Sequence, residues 1–246
     1  LVAGQRCADV LARAGGRNWF HSFEFVDETG ERCAISGYDP TIRKAHLFGM
    51  PERLDGLTVI DVGAYDGFFS FEAARRGAAD VLATDHFVWT GNWDPALENF
   101  QLVREVTGLA VRDQIIRVEE LTPDAVGGQY DVVLFYGVLY HAPDPLGYLK
   151  RIRELTRGQA LVETVVDLLD IDRPAMAYYP GAWLNGDGSN FFGPNLLAVE
   201  GLLRDAGFTG VEHLASWAPH LVQHIRQLPV PAGAPTSGRA VFRATV

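Results

Sequence analysis

From about Leu57 onward, short runs of apolar and β-branched residues alternate with stretches in which apolar positions recur every three or four residues. The first pattern suits strands buried on both faces and the second suits helices that cover them. The alternation therefore predicts an α/β sandwich, a parallel sheet with helices on both sides. Residues 57–62 read as the first buried strand, 68–76 as the helix after it, closed by Gly77, and 81–85 as the second strand. Residues 95–107 place Leu97, Phe100, Val103 and Val106 at helical spacing between a starting proline and Gly108. A weaker third strand is expected at 114–118, a strongly apolar fourth at 130–136, an amphipathic helix at 145–155 and a fifth strand at 160–166. Residues 167–195 lose the rhythm and form a loop-rich insertion with Gly181, Gly186, Gly188 and Gly193 among several aromatics. Connections of that length inside a compact domain are usually functional. A helix at 196–206 and strands around 211–214 and 239–244 complete the pattern.

Residues 1–50 follow a different pattern, with a helix expected at 8–14 and strand-like alternation at 19–26. They read as a cap over the sheet, leaving 51–246 as the ligand-binding domain.

Composition narrows the class. A chain of 246 residues with 48% hydrophobic content can bury a large core without a metal or a disulfide. Its longest apolar runs are strand-sized, well short of the ~20 residues of a membrane helix, and no signal peptide is visible; a cytoplasmic location is expected. The two cysteines, Cys7 and Cys33, have no metal-ligand spacing around them and read as free thiols of a reducing compartment. The seven histidines are scattered, so no metal site is expected. The net charge of −10, with Lys44 and Lys150 the only lysines, argues against a nucleic-acid partner, whose phosphates need neutralising cations. Oligomeric state leaves no mark in the sequence.

The first strand delivers its carboxyl end into Asp61-Val62-Gly63-Ala64-Tyr65-Asp66-Gly67, and a helix follows whose first amides can meet a polar ligand. Gly63 lets the backbone approach a ligand closely, and Gly67 permits a tight strand-to-helix junction. Tyr65 and Phe68 stand where a dinucleotide fingerprint wants glycine, which argues against a pyrophosphate cradle and a nicotinamide dehydrogenase. Asp85, with His86 beside it, closes the second strand where a carboxylate can accept hydrogen bonds from both ribose hydroxyls, although an aspartate there can equally cap a helix. Glu119 reads either as a contact near an adenine or as surface, and Glu120 could take the same part. After the fourth strand, Tyr136 leads into Tyr140 and His141 at the carboxyl edge of the sheet. His141 can remove a proton from a substrate hydroxyl, or only brace the loop and cap the helix at Pro145.

The run Gly137-Val138-Leu139-Tyr140-His141, then Pro145-Leu146, Leu161-Val162-Glu163-Thr164, Tyr179-Pro180-Gly181, Asn190-Phe191-Phe192-Gly193-Pro194-Asn195 and Ala206-Gly207-Phe208 resembles the CmoB-like class I methyltransferases. That family is named for the tRNA wobble-uridine carboxymethyltransferase, and the resemblance runs from about Asp39 onward. It implies a Rossmann-like seven-stranded sheet with an antiparallel last strand and an S-adenosylmethionine (SAM) cofactor at Gly63, Asp85 and Glu119. It also implies that Tyr140 and the loop carrying Tyr179, Asn190, Phe192 and Asn195 border the transferring methyl. The named enzyme uses carboxy-SAM, and Arg43 or Lys44 and Arg239 fall near its basic positions, where they could also be solvated charges. This chain departs from the family at Ala64-Tyr65-Asp66 and lacks its longer N-terminal region.

The expected activity is methyl transfer from SAM, with S-adenosylhomocysteine (SAH) as product, to a hydroxyl of a small-molecule acceptor. His141 is the candidate base and Tyr140 positions the acceptor. Trp89, Trp93, Trp183 and Phe192 either line an apolar acceptor pocket or pack a lid. The alternatives are carboxymethyl transfer to tRNA from carboxy-SAM and a non-catalytic SAM-binding module.

Overall fold

The computed structural model describes residues 1–91, 95–217 and 237–246. Within them the chain forms two compact units, one of Leu1–His46, Met50–Glu120 and Tyr130–Leu134, the other of Leu47–Gly49, Leu121–Gln129 and Phe135–Val246.

The first unit opens with α1 (Cys7–Ala14), the antiparallel pair β1 (Phe23–Val26) and β2 (Arg32–Ile35), and a single turn, α2 (Thr41–Lys44). It continues through β3 (Thr58–Val62), α3 (Phe68–Arg75), β4 (Asp80–Asp85), α4 (Phe87–Thr90), α5 (Ala96–Thr107) and β5 (Arg112–Ile115). β3 pairs in parallel with β4, and β4 with β5, so that Asp61 lies beside Ala83 and Asp85 beside Ile115. Four of the five β3 side chains are buried, as its unbroken apolar run requires.

β6 (Tyr130–Tyr136) pairs in parallel with β3, Asp61 opposite Leu134. The second unit then builds α6 (Pro123–Val126), α7 (Pro145–Leu155), β7 (Thr156–Val166), the short antiparallel pair β8 (Met176–Tyr178) and β9 (Phe192–Pro194), α8 (Leu196–Asp205), β10 (Gly210–Trp217) and β11 (Gly238–Thr245). The main sheet has seven strands in the order β10-β11-β7-β6-β3-β4-β5, with β11 antiparallel to both of its neighbours.

Most predicted elements lie within a residue or two of their expected bounds, and the departures have local causes. β5 occupies 112–115 instead of 114–118, because its register is set by pairing Leu82 with Arg112 on an exposed edge strand with little apolar signal. β7 begins at Thr156, directly after α7, four residues earlier than its apolar run suggests; Gln159 there pairs with Thr245. The insertion is not strandless, since β8 and β9 form a ladder with Tyr178 opposite Phe192. Helix α7 is capped by Asp144, whose side chain accepts from the Gly147 amide, so His141 does not cap it.

One expectation is overturned. Cys7 and Cys33 are not free thiols but form a disulfide, their Cα atoms 5.6 Å apart because α1 packs on β2. With it goes the support that free thiols gave to a reducing compartment. Among the described residues, no helix is long and apolar enough to cross a membrane, and no cluster of three or more histidine, cysteine or acidic residues could hold a metal ion.

Candidate active site

The turn after β3 is built from backbone that only certain residues tolerate. Gly63 and Gly67 lie at φ 80° and 85°, and between them Tyr65 holds φ 55°, a left-handed conformation that costs a side-chain-bearing residue energy. The Gly63 and Ala64 amides both donate to the Thr84 carbonyl at 2.8 and 3.0 Å, fastening the turn to β4. A Cβ on Gly67 would lie 2.4 Å from Phe100 Cδ2 and 2.8 Å from Phe71 Cε2. Glycine there serves the packing of α3 on α5, where the sequence suggested crowding of the sheet or a ligand.

Two buried carboxylates mark the ends of β3 and β4. Asp61 accepts from the Ser70 hydroxyl at 2.6 Å, and burial, assisted by the nearby Asp85 charge, pushes its pKa up to about 6 despite that hydrogen bond. Asp85 accepts from the amides of Tyr65 at 3.1 Å and Val88 at 3.3 Å. Burial raises its pKa too, with those amides and that of His86 opposing the shift. Asp85 thus braces the turn and the start of α4 together, which is the helix-capping alternative considered for it. His86 is the residue preceding α4 and is partly buried; Glu119 is exposed on a 3₁₀ turn at Val118–Glu120. Trp89, considered for an acceptor pocket, is instead buried, donating from Nε1 to the Tyr65 carbonyl at 2.6 Å with its ring against Phe100. Trp93 lies outside the described residues.

Sequence reasoning missed what supports this turn from the N-terminal segment. Asp66, fully buried, accepts from the amides of Phe20 and His21 at 3.0 and 2.9 Å and from the His21 ring. Phe20 stacks on Tyr65 with ring centroids 4.5 Å apart. The partners stand some 45 residues apart, so no local pattern announces them. The Tyr65-Asp66 departure from the family turn is what this segment grips.

In the second unit, β6 ends at Gly137, whose φ of 73° turns the chain and whose amide donates to the Glu163 carbonyl at 3.0 Å. Tyr136 is buried with its hydroxyl donated to the Phe48 carbonyl at 2.9 Å, so it forms wall and offers no free hydroxyl, against its expected part in cofactor binding. Tyr140 lies under Arg239, the guanidinium carbon 4.8 Å from its ring centroid. Arg239 makes a two-pronged ion pair with the buried Glu163, Nη2 to Oε2 at 2.6 Å and Nε to Oε1. It is not a solvated charge. Burial disfavours its cation, but Glu163 and Tyr140 outweigh that and hold its pKa above the arginine value.

His141 sits at the end of a 3₁₀ turn, Leu139–His141, with its ring 4.1 Å from that of Tyr140. Its Nδ1 lies 3.0 Å from both the carbonyl oxygen and the hydroxyl of Ser189 in the insertion. Burial pulls its pKa below the usual histidine value; Ser189 and Asp187 oppose this and the Arg239 charge adds to it. Burial thus favours the uncharged imidazole.

Other residues expected to meet substrate are used differently. Asn195 caps α8: its oxygen accepts from the Ala198 and Ala175 amides at 2.9 and 3.2 Å, and its nitrogen donates to the Ile171 and Arg173 carbonyls at 3.1 and 2.7 Å. These four bonds exhaust a carboxamide's usual capacity, correcting the substrate role. Tyr179 is buried against Val165 and Leu184 and donates its hydroxyl to Asp167 at 2.6 Å, burial pushing its pKa up; it too is structural. Asn190 is buried, donating to the Leu184 carbonyl, and its side-chain oxygen has no partner among the described residues. Phe192 packs beside Tyr178 on the β8–β9 ladder, and Trp183 is half exposed.

A mostly parallel seven-stranded sheet in this order, with its antiparallel last strand, a glycine turn after the first core strand and a carboxylate ending the second, is the fold of the class I methyltransferases. A family model for the methyltransferase domain matches residues 30–213, and the chain belongs to that family. Two curated relatives illustrate its range. A tRNA U34 carboxymethyltransferase of Campylobacter jejuni is 24% identical over 162 residues, 64% of this chain and 51% of the relative. A ubiquinone biosynthesis O-methyltransferase of Cereibacter sphaeroides is 31% identical over 172 residues, 66% of this chain and 64% of the relative. The chain spans about half the length of the tRNA-modifying relatives it matches. Among solved structures, the N-terminal domain of EvdMO1, crystallised in the presence of SAH and D-fucose, superposes with a TM-score of 0.66 over 99% of this chain and 98% of that one, at 20% identity, a likeness of fold.

Proposed function

We propose that this protein transfers a methyl group from SAM to a hydroxyl of a small-molecule acceptor. The observation that carries the reaction type is the hold of Ser189 on His141 Nδ1, which makes Nε2 the nitrogen that takes a proton, with burial favouring the uncharged ring. The donor set of the glycine turn suits an adenosine. The Asp85 carboxylate, which meets the amides of Tyr65, Val88 and His86, retains acceptor capacity for a ribose hydroxyl, and Gly63 lets the backbone come close. Asp85, Gly63, Ala64 and Tyr65 would hold the cofactor, with His86 and Glu119 beside the nucleoside. When bound, SAM supplies a methyl already activated by its sulfonium, which leaves with the carbon–sulfur electron pair returned to sulfur. His141 accepts the hydroxyl proton as the acceptor oxygen attacks, then releases it to solvent. Tyr140, pinned under Arg239, orients the acceptor. The grip of Phe20 and His21 on Asp66 supports reading residues 1–50 as a cap on the cofactor turn.

The CmoB-like resemblance and the tRNA-modifying relatives favour a second reading, carboxymethyl transfer from carboxy-SAM. Against it, Arg239 is already neutralised by Glu163, Lys44 is paired with Asp39 at 2.8 Å, and the net charge is −10. Mass spectrometry of the copurified nucleoside separates the two, because carboxy-SAM carries an additional carboxylate. Calorimetry with SAH should show saturable binding, weakened tenfold or more in Asp85→Ala. With an acceptor hydroxyl that the wild type methylates, His141→Ala should lower kcat about 100-fold or more without loss of SAM affinity. Unchanged turnover would remove His141 from the reaction. SAH binding with no turnover across a broad panel of hydroxyl acceptors would favour a binding module.

A further inference from the structure

The contacts around His141 extend beyond its ring. A carbonyl oxygen can only accept, so the 3.0 Å contact from Nδ1 to the Ser189 carbonyl places the ring proton on Nδ1. The second contact agrees with this. Ser189 Oγ donates to Asp187 Oδ1 at 2.7 Å, leaving its lone pairs to face the Nδ1 proton at 3.0 Å. The Asp187 oxygen is itself fixed by the Ser189 amide at 2.8 Å. The turn bearing these residues is anchored at both ends. The Asp187 amide donates to the carbonyl of the buried Leu184, and the Phe191 amide donates to the Tyr140 carbonyl at 2.9 Å, next to His141 itself.

We infer that Asp187 and Ser189 are positioning residues of this enzyme: the chain Asp187–Ser189–His141 locks the imidazole in the tautomer whose Nε2 is unprotonated and stabilises the imidazolium once that nitrogen has taken a proton. The inference rests on the proposed role of His141 as base. It gives the insertion a function the sequence did not assign, since Asp187 and Ser189 stand nearly 50 residues beyond the histidine they orient. The charged groups around His141 are Asp187 from the insertion and Arg239 from β11, the latter already paired with Glu163 of β7, with the Tyr140 ring alongside. Asp187 is the group that favours the imidazolium, and Arg239 opposes it.

Long-range nitrogen–proton correlation spectra of the histidine rings in the SAH-bound protein test this without an acceptor, His141→Gln identifying the signal. The wild type should show Nδ1–H with Nε2 unprotonated. Asp187→Asn should lower the His141 titration midpoint by about 0.5 to 1 pH unit and admit the other tautomer, because the serine hydroxyl can then turn its proton toward Nδ1. Ser189→Ala should lower the midpoint likewise, its backbone carbonyl keeping the proton on Nδ1, and Ser189→Thr, which restores the hydroxyl, should not. With acceptor present, the acid limb of kcat/KM should move with the NMR midpoint. An Nε2–H tautomer in the wild type, or the same midpoint in wild type, Asp187→Asn and Ser189→Ala, would overturn the relay. Should Asp187→Asn fail to fold, the Ser189→Ala and Ser189→Thr pair decides the question alone. Full turnover in His141→Ala would instead defeat the base assignment while leaving the measured tautomer intact, so the two failures are distinguishable.

Discussion

Asp61 shows how one residue at the end of β3 trades stability for placement. Its carboxyl has a pKa of about 6 in the folded protein, against 3.8 for an aspartate free in solvent. Between those values the folded chain binds the extra proton, so this group's contribution to stability falls as pH rises from about 4 to 6 and stays low above. Asp61→Asn keeps an acceptor for Ser70 and removes the buried charge. It should therefore stabilise the protein by about 1–3 kcal/mol at pH 8 and by almost nothing at pH 4, read from thermal melts at both. Equal shifts at the two pH values would show that burial of the charge is not the cause. At this scale the sequence was informative at strand ends: the glycine turn at Gly63 and the carboxylates Asp61 and Asp85 are where position alone puts them. It was silent where partners are far apart in the chain, as with Asp66 and His21 or Glu163 and Arg239, the latter 76 residues apart. An arginine seen without its partner looks like any surface cation.

Among the elements, β6 and α7 have the bounds their patterns predicted, because one is apolar but for Asp131 and the other has a proline at its start and a clear apolar stripe. β5, largely exposed, carries no such signal, and β8 and β9 are three residues each, too short for periodicity to register. The insertion depends on a residue whose importance lies in hydrogen bonding alone. Asn195 starts α8 and simultaneously ties down backbone at Ile171, Arg173 and Ala175. Asn195→Ala removes the cap and the bonds to the Ile171 and Arg173 carbonyls, which should cost about 1–3 kcal/mol. Differential scanning calorimetry would register the loss, and limited proteolysis should cut faster between residues 168 and 175. A melting temperature within a degree of wild type would show that these bonds are replaced by water at no cost.

At the scale of the whole molecule, the disulfide joins α1 to β2 across a separation of 26 residues. Closing a loop of that length in the unfolded chain is worth about 3 kcal/mol, so reductant should lower the melting temperature by several degrees, and Cys7→Ser with Cys33→Ser should match the reduced protein. A melt indifferent to reductant would show that the bridge adds nothing to the packing of α1. Sequence composition could not reveal it, because two cysteines without a spacing motif look alike bridged or free. The order of strands has a consequence in time. β11 follows β10 in the chain yet enters the sheet between β10 and β7, more than 70 residues after β7 is complete. On the ribosome, β7 and β10 emerge with nothing to join them, and Glu163 waits without its arginine until residue 239 has cleared the exit tunnel. The β10–β11 edge of this sheet is thus assembled last by insertion, the slow, non-local kind of pairing. A nascent chain stalled before that point should be protease-sensitive from β7 onward while β3, β4 and β5 already resist.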